Sequence, residues 1–401
     1  MDPNFAREPQ SMMPAFEFAT ANRIVFGAGT VKQAGSLAAQ FGRRAFLITG
    51  RDQSRAGSLV NTLSASGIQS CLFSVAGEPE LSTVQRGARE AKTHACDLVI
   101  SFGGGSAIDA GKAIATMLTN RGEVLDYVEI IGKGKALEQP PAPFMAIPTT
   151  AGTGSEVTRN SVLASPQHRV KVSLRSPLML PRLALIDPEL TYDLPPAITA
   201  STGLDALTQL IEPFVSCRAN PLTDALCLEA LPRTAGALPV AFRNPHDTVA
   251  RQNMSLASLF GGLALANAGL GAVHGFAGPL GGMFSAPHGA LCAALLPHVM
   301  AANIRALAQR QPQSLALRRY AHVACLLTQN PGATPADGVN WVARLISELR
   351  IPSLAAYGIT PGHLAEVADK AAKSSSMKAN PITLSFEELT AILEQALGAD
   401  P

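Results

Sequence analysis

Through its first half this chain alternates short apolar runs with stretches of helical periodicity, and near Leu194-Pro195-Pro196 the short runs stop. Parallel strands cannot be joined by a tight turn, so each needs a crossover of a dozen or more residues, usually a helix. The pattern predicts strands at 45–49, 70–75, 97–102, 144–147 and 183–186, with helices at 31–40, 85–93 and 107–118 between them. Beyond residue 194, helical periodicity punctuated by Gly and Pro runs to the C-terminus. The expected fold is therefore an α/β domain with a parallel sheet over residues 15–194 and an all-helical domain over 195–401. Residues 1–14, polar and proline-containing, are expected to form a loose extension.

At 401 residues the chain is too long for one ordinary core, and with 47% apolar residues it can bury two. A net charge of +2, with Lys and Arg scattered, gives no reason to expect a nucleic-acid or anionic-membrane partner. Gly, Pro and polar residues interrupt even the most apolar stretches, so no membrane span is expected. Six separated cysteines without a CxxC pair or secretory leader read as buried thiols of a cytoplasmic protein.

Two turns carry ligand chemistry. Gly103-Gly104-Gly105-Ser106 lies between an expected strand and an expected helix, where glycines let a phosphate approach the backbone and the helix start offers free amides. The same turn reads equally as a tight turn with a capping box, Ser106 as N-cap and Asp109 three residues on. It is not a Walker A loop: the spacing to Gly111-Lys112 is one residue too long, and Ala113 stands where a magnesium-binding hydroxyl belongs. The second turn, Pro148-Thr149-Thr150-Ala151-Gly152-Thr153-Gly154-Ser155-Glu156, follows the next strand and should face the same crevice at the carboxyl edge of the sheet. In the helical half, Asp205, His274 and His288 supply one carboxylate and two imidazoles, the donor types that hold a catalytic divalent metal. Each alone reads better as a surface acid or a packed histidine, and His274 and His288 lie 14 positions apart, so only the fold can unite them.

Together Phe102-Gly103-Gly104-Gly105-Ser106-Ala107-Ile108-Asp109, the threonine-rich turn, Gly203-Leu204-Asp205-Ala206-Leu207, Val273-His274-Gly275 and Pro287-His288-Gly289 resemble the iron-containing (group III) alcohol dehydrogenase family, over about residues 16–397. The resemblance implies an N-terminal dinucleotide-binding domain, a helical metal and substrate domain, and NAD(P)-dependent interconversion of an alcohol and an aldehyde or ketone. It places Gly104, Gly105 and Ser106 on the pyrophosphate, with Asp109 in the same turn and Thr149, Thr150 and Thr153 completing the cofactor site. Lys171 falls near the nicotinamide ribose and Asn160 near the reacting carbon. Asp205, His274 and His288 become metal ligands, for Fe or Zn, and a homodimer is expected.

Two positions depart from the family pattern. Gln209 stands where a fourth ligand, a His one turn after the Asp, is expected, and a carboxamide oxygen is a poorer donor, so weakly held metal is predicted. Gly278 replaces another His near the nicotinamide, which should enlarge the pocket. After the first strand, Gly50-Arg51 lacks the Asp that repels a 2'-phosphate, so NADP should be accepted beside NAD. Arg159, next to Asn160, is a candidate contact for an anionic substrate tail. Three rival readings stay open: a metal-independent reductase resembling the maleylacetate reductases, a dehydroquinate-synthase-like lyase, and a cofactor-binding protein without turnover. Gln209 favours the first; Asp205, in place of a Glu ligand, argues against the second.

Overall fold

The computed structural model describes residues 15–398, so the expected extension at 1–14 lies outside the described residues. Among the described residues there are eight strands: β1 (Ile24–Phe26), β2 (Arg44–Thr49), β3 (Gln69–Ser74), β4 (Leu98–Gly103), β5 (Phe144–Pro148), β6 (Asn160–Ser165), β7 (Val170–Arg175) and β8 (Leu183–Ile186). Six form a parallel sheet in the order β1-β8-β5-β4-β2-β3. Along β2, Phe46 and Ile48 enter the core on one face while Ala45 and Leu47 enter that on the other. Both faces are covered by helices, which is why β2 reads as an unbroken apolar run.

The helices of this half are α1 (Ala34–Ala38), α2 (Gly57–Ala65), α3 (Leu81–Thr93), α4 (Gly105–Thr119) and α5 (Val124–Tyr127). The other half is helical: α6 (Pro196–Val215), α7 (Pro221–Arg243), α8 (Thr248–Ala268), α9 (Ala272–Met283), α10 (His288–Arg310), α11 (Leu315–Thr328), α12 (Pro335–Glu348), α13 (Leu364–Ala372) and α14 (Phe386–Leu397). Their apolar faces share one core, and Ala151, from the turn after β5, is inserted into it.

Every expected strand and helix is present, with ends displaced by a few residues. Helices α2 and α5, the three-residue edge strand β1 and the antiparallel hairpin β6–β7 come in addition to the expected elements. Two expectations need correction. Only Cys227 and Cys292 are buried, whereas Cys217 is exposed and the other three are intermediate. Helix α10 does meet the length and hydropathy of a membrane span, but 78% of its most apolar window is buried inside the protein, as in a core helix.

Candidate active site

The sheet topology brings the two turns together. Strand β4 pairs with β2 on one side and β5 on the other, so Gly50, Gly103–Ser106 and Thr149–Thr153 follow three adjacent carboxyl ends. The chain runs outward from β2 to β3 and then crosses back to β4, so a switch point lies between β2 and β4, the usual ligand crevice of such sheets. Helix α4 starts with Gly104 as N-cap and no side-chain cap bond. The alternative reading of this turn as a capping box with Ser106 as N-cap is therefore not met, and the first-turn amides suit an anion. A Cβ on Gly105 would lie 2.8 Å from Thr153 Cγ2, and one on Gly104 would lie 3.3 Å from Thr150. Here glycine is needed for close approach of the two turns, since neither residue has a positive φ.

Asp109, expected at the cofactor, turns its carboxylate into the protein. It accepts hydrogen bonds from Ser155 Oγ and from the Val162 amide at 3.0 Å, and it lies 3.4 Å from Lys112 Nζ. Buried Lys112 in turn donates to Ser155 O, Thr158 Oγ1 and Asn160 O. This pair ties α4 to the threonine turn and to the start of β6, which accounts for a lysine that binds no phosphate. Gly154 and Gly262 meet backbone to backbone, and Gly152 abuts Thr202, so the same turn is fixed against α8 and α6.

The hairpin carries Lys171 to α9, where a Cβ on Gly281 would lie 2.8 Å from its Nζ. Lys171 is almost fully buried and pairs with Glu78 at 2.9 Å. Asn160 opens β6 and its carbonyl receives Lys112. Arg159 pairs at 3.2 Å with exposed Glu17, so its charge is already engaged in an ion pair.

Asp205 on α6, His274 on α9 and His288 at the start of α10 do converge. His274 Nε2 lies 3.3 Å and His288 Nε2 3.9 Å from Asp205 Oδ1, and the two imidazole rings are 5.4 Å apart. Gly289 permits this approach: a Cβ there would lie 2.2 Å from Ser201 O and 3.3 Å from Asp205 Cβ. Asp205 and His274 are buried, whereas the His288 side chain keeps 34% exposure and opens the cluster on one side. Asp205 Oδ1 and His274 Nε2 have no hydrogen-bond partner, and neither has Gln209 Oε1 on the next turn of α6. Buried polar atoms left this way are costly unless something else engages them, and a divalent cation fits that donor set.

Two members of the cluster were missed in the sequence. Glu212, seven residues after Asp205 and so on the same face of α6, accepts His274 Nδ1 at 2.6 Å and the Val273 amide at 2.7 Å. It thereby fixes the ring so that Nε2 carries the free lone pair. Cys292, one turn after His288, places its Sγ 3.7 Å from His288 Nε2. Burial would raise the Asp205 carboxyl, yet His274 and His288 hold it below its ordinary value. Burial would likewise raise the Cys292 thiol, and the same imidazoles bring it below its ordinary value. His298 lies further along α10, outside the cluster, and burial holds its imidazole below its ordinary value.

The family model described as iron-containing alcohol dehydrogenase matches residues 21–188, and that of the family's C-terminal part matches 199–397. The chain belongs to the iron-containing alcohol dehydrogenase family. It is 32% identical to the choline dehydrogenase of Bacillus subtilis over 98% of both chains. It is 31% identical to the NAD-dependent methanol dehydrogenase of Bacillus methanolicus, over 93% of this chain and 97% of that one. A solved 1,3-propanediol oxidoreductase superposes with a TM-score of 0.88 at 32% identity, covering 96% of this chain and 100% of the other. As a family member the chain is an alcohol dehydrogenase, transferring hydride between an alcohol or carbonyl and a nicotinamide cofactor, and its Asp205, His274, His288 and Cys292 form a group able to hold a metal ion.

Proposed function

We propose that this enzyme interconverts a small polar alcohol and its aldehyde at the Asp205–His274–His288 cluster, with the cofactor bound across the Gly104–Ser106 and Thr149–Thr153 turns. The convergence of three ligand-type side chains from three helices, two of them with unpartnered buried atoms, carries this reading. A divalent ion held there supplies Lewis acidity toward the substrate oxygen, and the nicotinamide supplies the hydride acceptor. The chain's own residues do the positioning. Asp205 contributes the negative charge, Glu212 fixes the His274 ring, and partly exposed His288 leaves the side by which substrate enters. Lys171, wedged against α9, is assigned to the nicotinamide ribose, and Asn160 to the substrate side. A Cβ on Gly278 would meet nothing within 4 Å, so this half of the site has room for substituents larger than a methyl group. The enzyme acts as a soluble homodimer in the cytoplasm.

The test is a panel of short alcohols and aldehydes, diols and choline included, assayed with both cofactors. Turnover of at least one primary alcohol or its aldehyde is expected, whereas binding of NAD(P)H without any turnover would leave a cofactor-binding protein.

NADPH is proposed to serve at least as well as NADH, because Gly50 leaves open space, with nothing within 4 Å of its would-be Cβ, and Arg51 beside it is exposed. In a Gly50→Asp variant the new carboxylate faces the adenosine ribose. Like charges at contact range near a surface repel by a few kcal/mol, so the NADPH-to-NADH ratio of kcat/KM should fall by roughly 10- to 100-fold. Steady-state kinetics showing an unchanged ratio would place the 2'-phosphate elsewhere.

A further inference from the structure

We propose that Cys292 is a fourth metal ligand, giving a site of one carboxylate, two imidazoles and one thiolate. The inference rests on the metal reading above and adds the residue that replaces the donor lacking at Gln209. A tetrahedral site with bonds of about 2.0–2.3 Å separates its donors by about 3.3–3.8 Å. The cluster comes close to this spacing: 3.3 Å from His274 to Asp205, 3.9 Å from His288 to Asp205 and 3.7 Å from Cys292 to His288. One donor atom from each of Asp205, His274, His288 and Cys292 lies within 4.8 Å of every other.

The second, independent observation is the pair of buried atoms without partners, Asp205 Oδ1 and His274 Nε2, which belong to this same group. Cys292 is itself fully buried on α10, one turn from His288, so the two share a helix face and approach the cluster together. The weak retention expected from Gln209 counts only three good donors, and Cys292 makes four. A thiolate also changes the preference, since soft sulfur donors suit zinc better than the harder all-nitrogen-and-oxygen set does. Zinc readily expands to five ligands, so four protein donors leave a place for substrate.

Cobalt(II) reports this directly, because a thiolate bound to it gives a charge-transfer absorption in the near ultraviolet that nitrogen and oxygen donors do not. Full-length protein is stripped with chelator, kept reduced and titrated with cobalt(II). One equivalent should bind with that absorption, which should vanish in Cys292→Ser and in Cys292→Ala while affinity falls by roughly 100-fold, at least the loss seen when a ligand's outer partner is removed. The alanine variant keeps the test open if serine misfolds. Cys71, Glu90 and His94 form another candidate group, so a Cys71→Ser control is needed, and the absorption should survive it. Stoichiometric cobalt without the absorption, or an absorption lost in Cys71→Ser instead, overturns the assignment while leaving the three-ligand enzyme intact. Failure of the protein to bind cobalt at all overturns both.

Discussion

Asp205→Asn should reduce kcat/KM by roughly a thousandfold and leave the protein folded. The Lewis acidity of a bound cation is worth several kcal/mol in a reaction that develops charge on oxygen, and each 1.36 kcal/mol is tenfold in rate. Asparagine keeps the shape of Asp205 but removes the carboxylate charge that faces the Nε2 atoms of His274 and His288 at 3.3 and 3.9 Å. Binding of NAD(P)H, followed by fluorescence, should be unchanged because the cofactor turns lie on the sheet. A variant with wild-type kcat/KM would show that the carboxylate plays no part in the reaction.

Glu212→Ala is expected to lower metal affinity by roughly 10- to 100-fold, the usual cost of removing the partner that orients a ligating histidine. Glu212 engages both His274 Nδ1 and the Val273 amide, and Gly271 lets the start of α9 come this close, since a Cβ there would lie 2.9 Å from Glu212 Oε1. Behind it, Asn380 accepts from the Ala272 amide and exchanges hydrogen bonds with Asn303. Glu212→Gln keeps an oxygen acceptor for Nδ1–H and should fall between alanine and wild type. Competition with a chromophoric chelator measures all three proteins. Equal affinities would mean that His274 needs no second partner to hold its orientation.

The sheet was legible because buried parallel strands are short, apolar on both faces and separated by helix-length crossovers. Strand β1 was not, since three residues, Ile24–Phe26, carry no periodicity of their own and are held as a strand only by pairing with β8. The β6–β7 hairpin did leave a signal: Val170, Val172 and Leu174 alternate with Lys171, Ser173 and Arg175. That period of two marks a half-buried strand, and no strand was expected there.

At the site, the three ligand-type residues stood out by type and by the surrounding motifs. Glu212 and Cys292 did not, although each lies at helical spacing from a residue that did. Spacing shows that Cys292 shares a face with His288, but not that this face meets Asp205. That meeting depends on Gly289 fitting against Ser201, a contact between residues 88 positions apart in the chain.

Metal dependence tests the central claim most directly. Wild-type and His288→Ala proteins, purified without chelator, are compared for metal content and alcohol dehydrogenase activity before and after chelation and after returning iron or zinc. The account predicts that wild-type activity falls in step with its metal and returns with one equivalent of a divalent ion, while His288→Ala retains little of either. Full activity in metal-free wild type, matched by His288→Ala, would contradict it and establish a metal-independent reductase on the same fold.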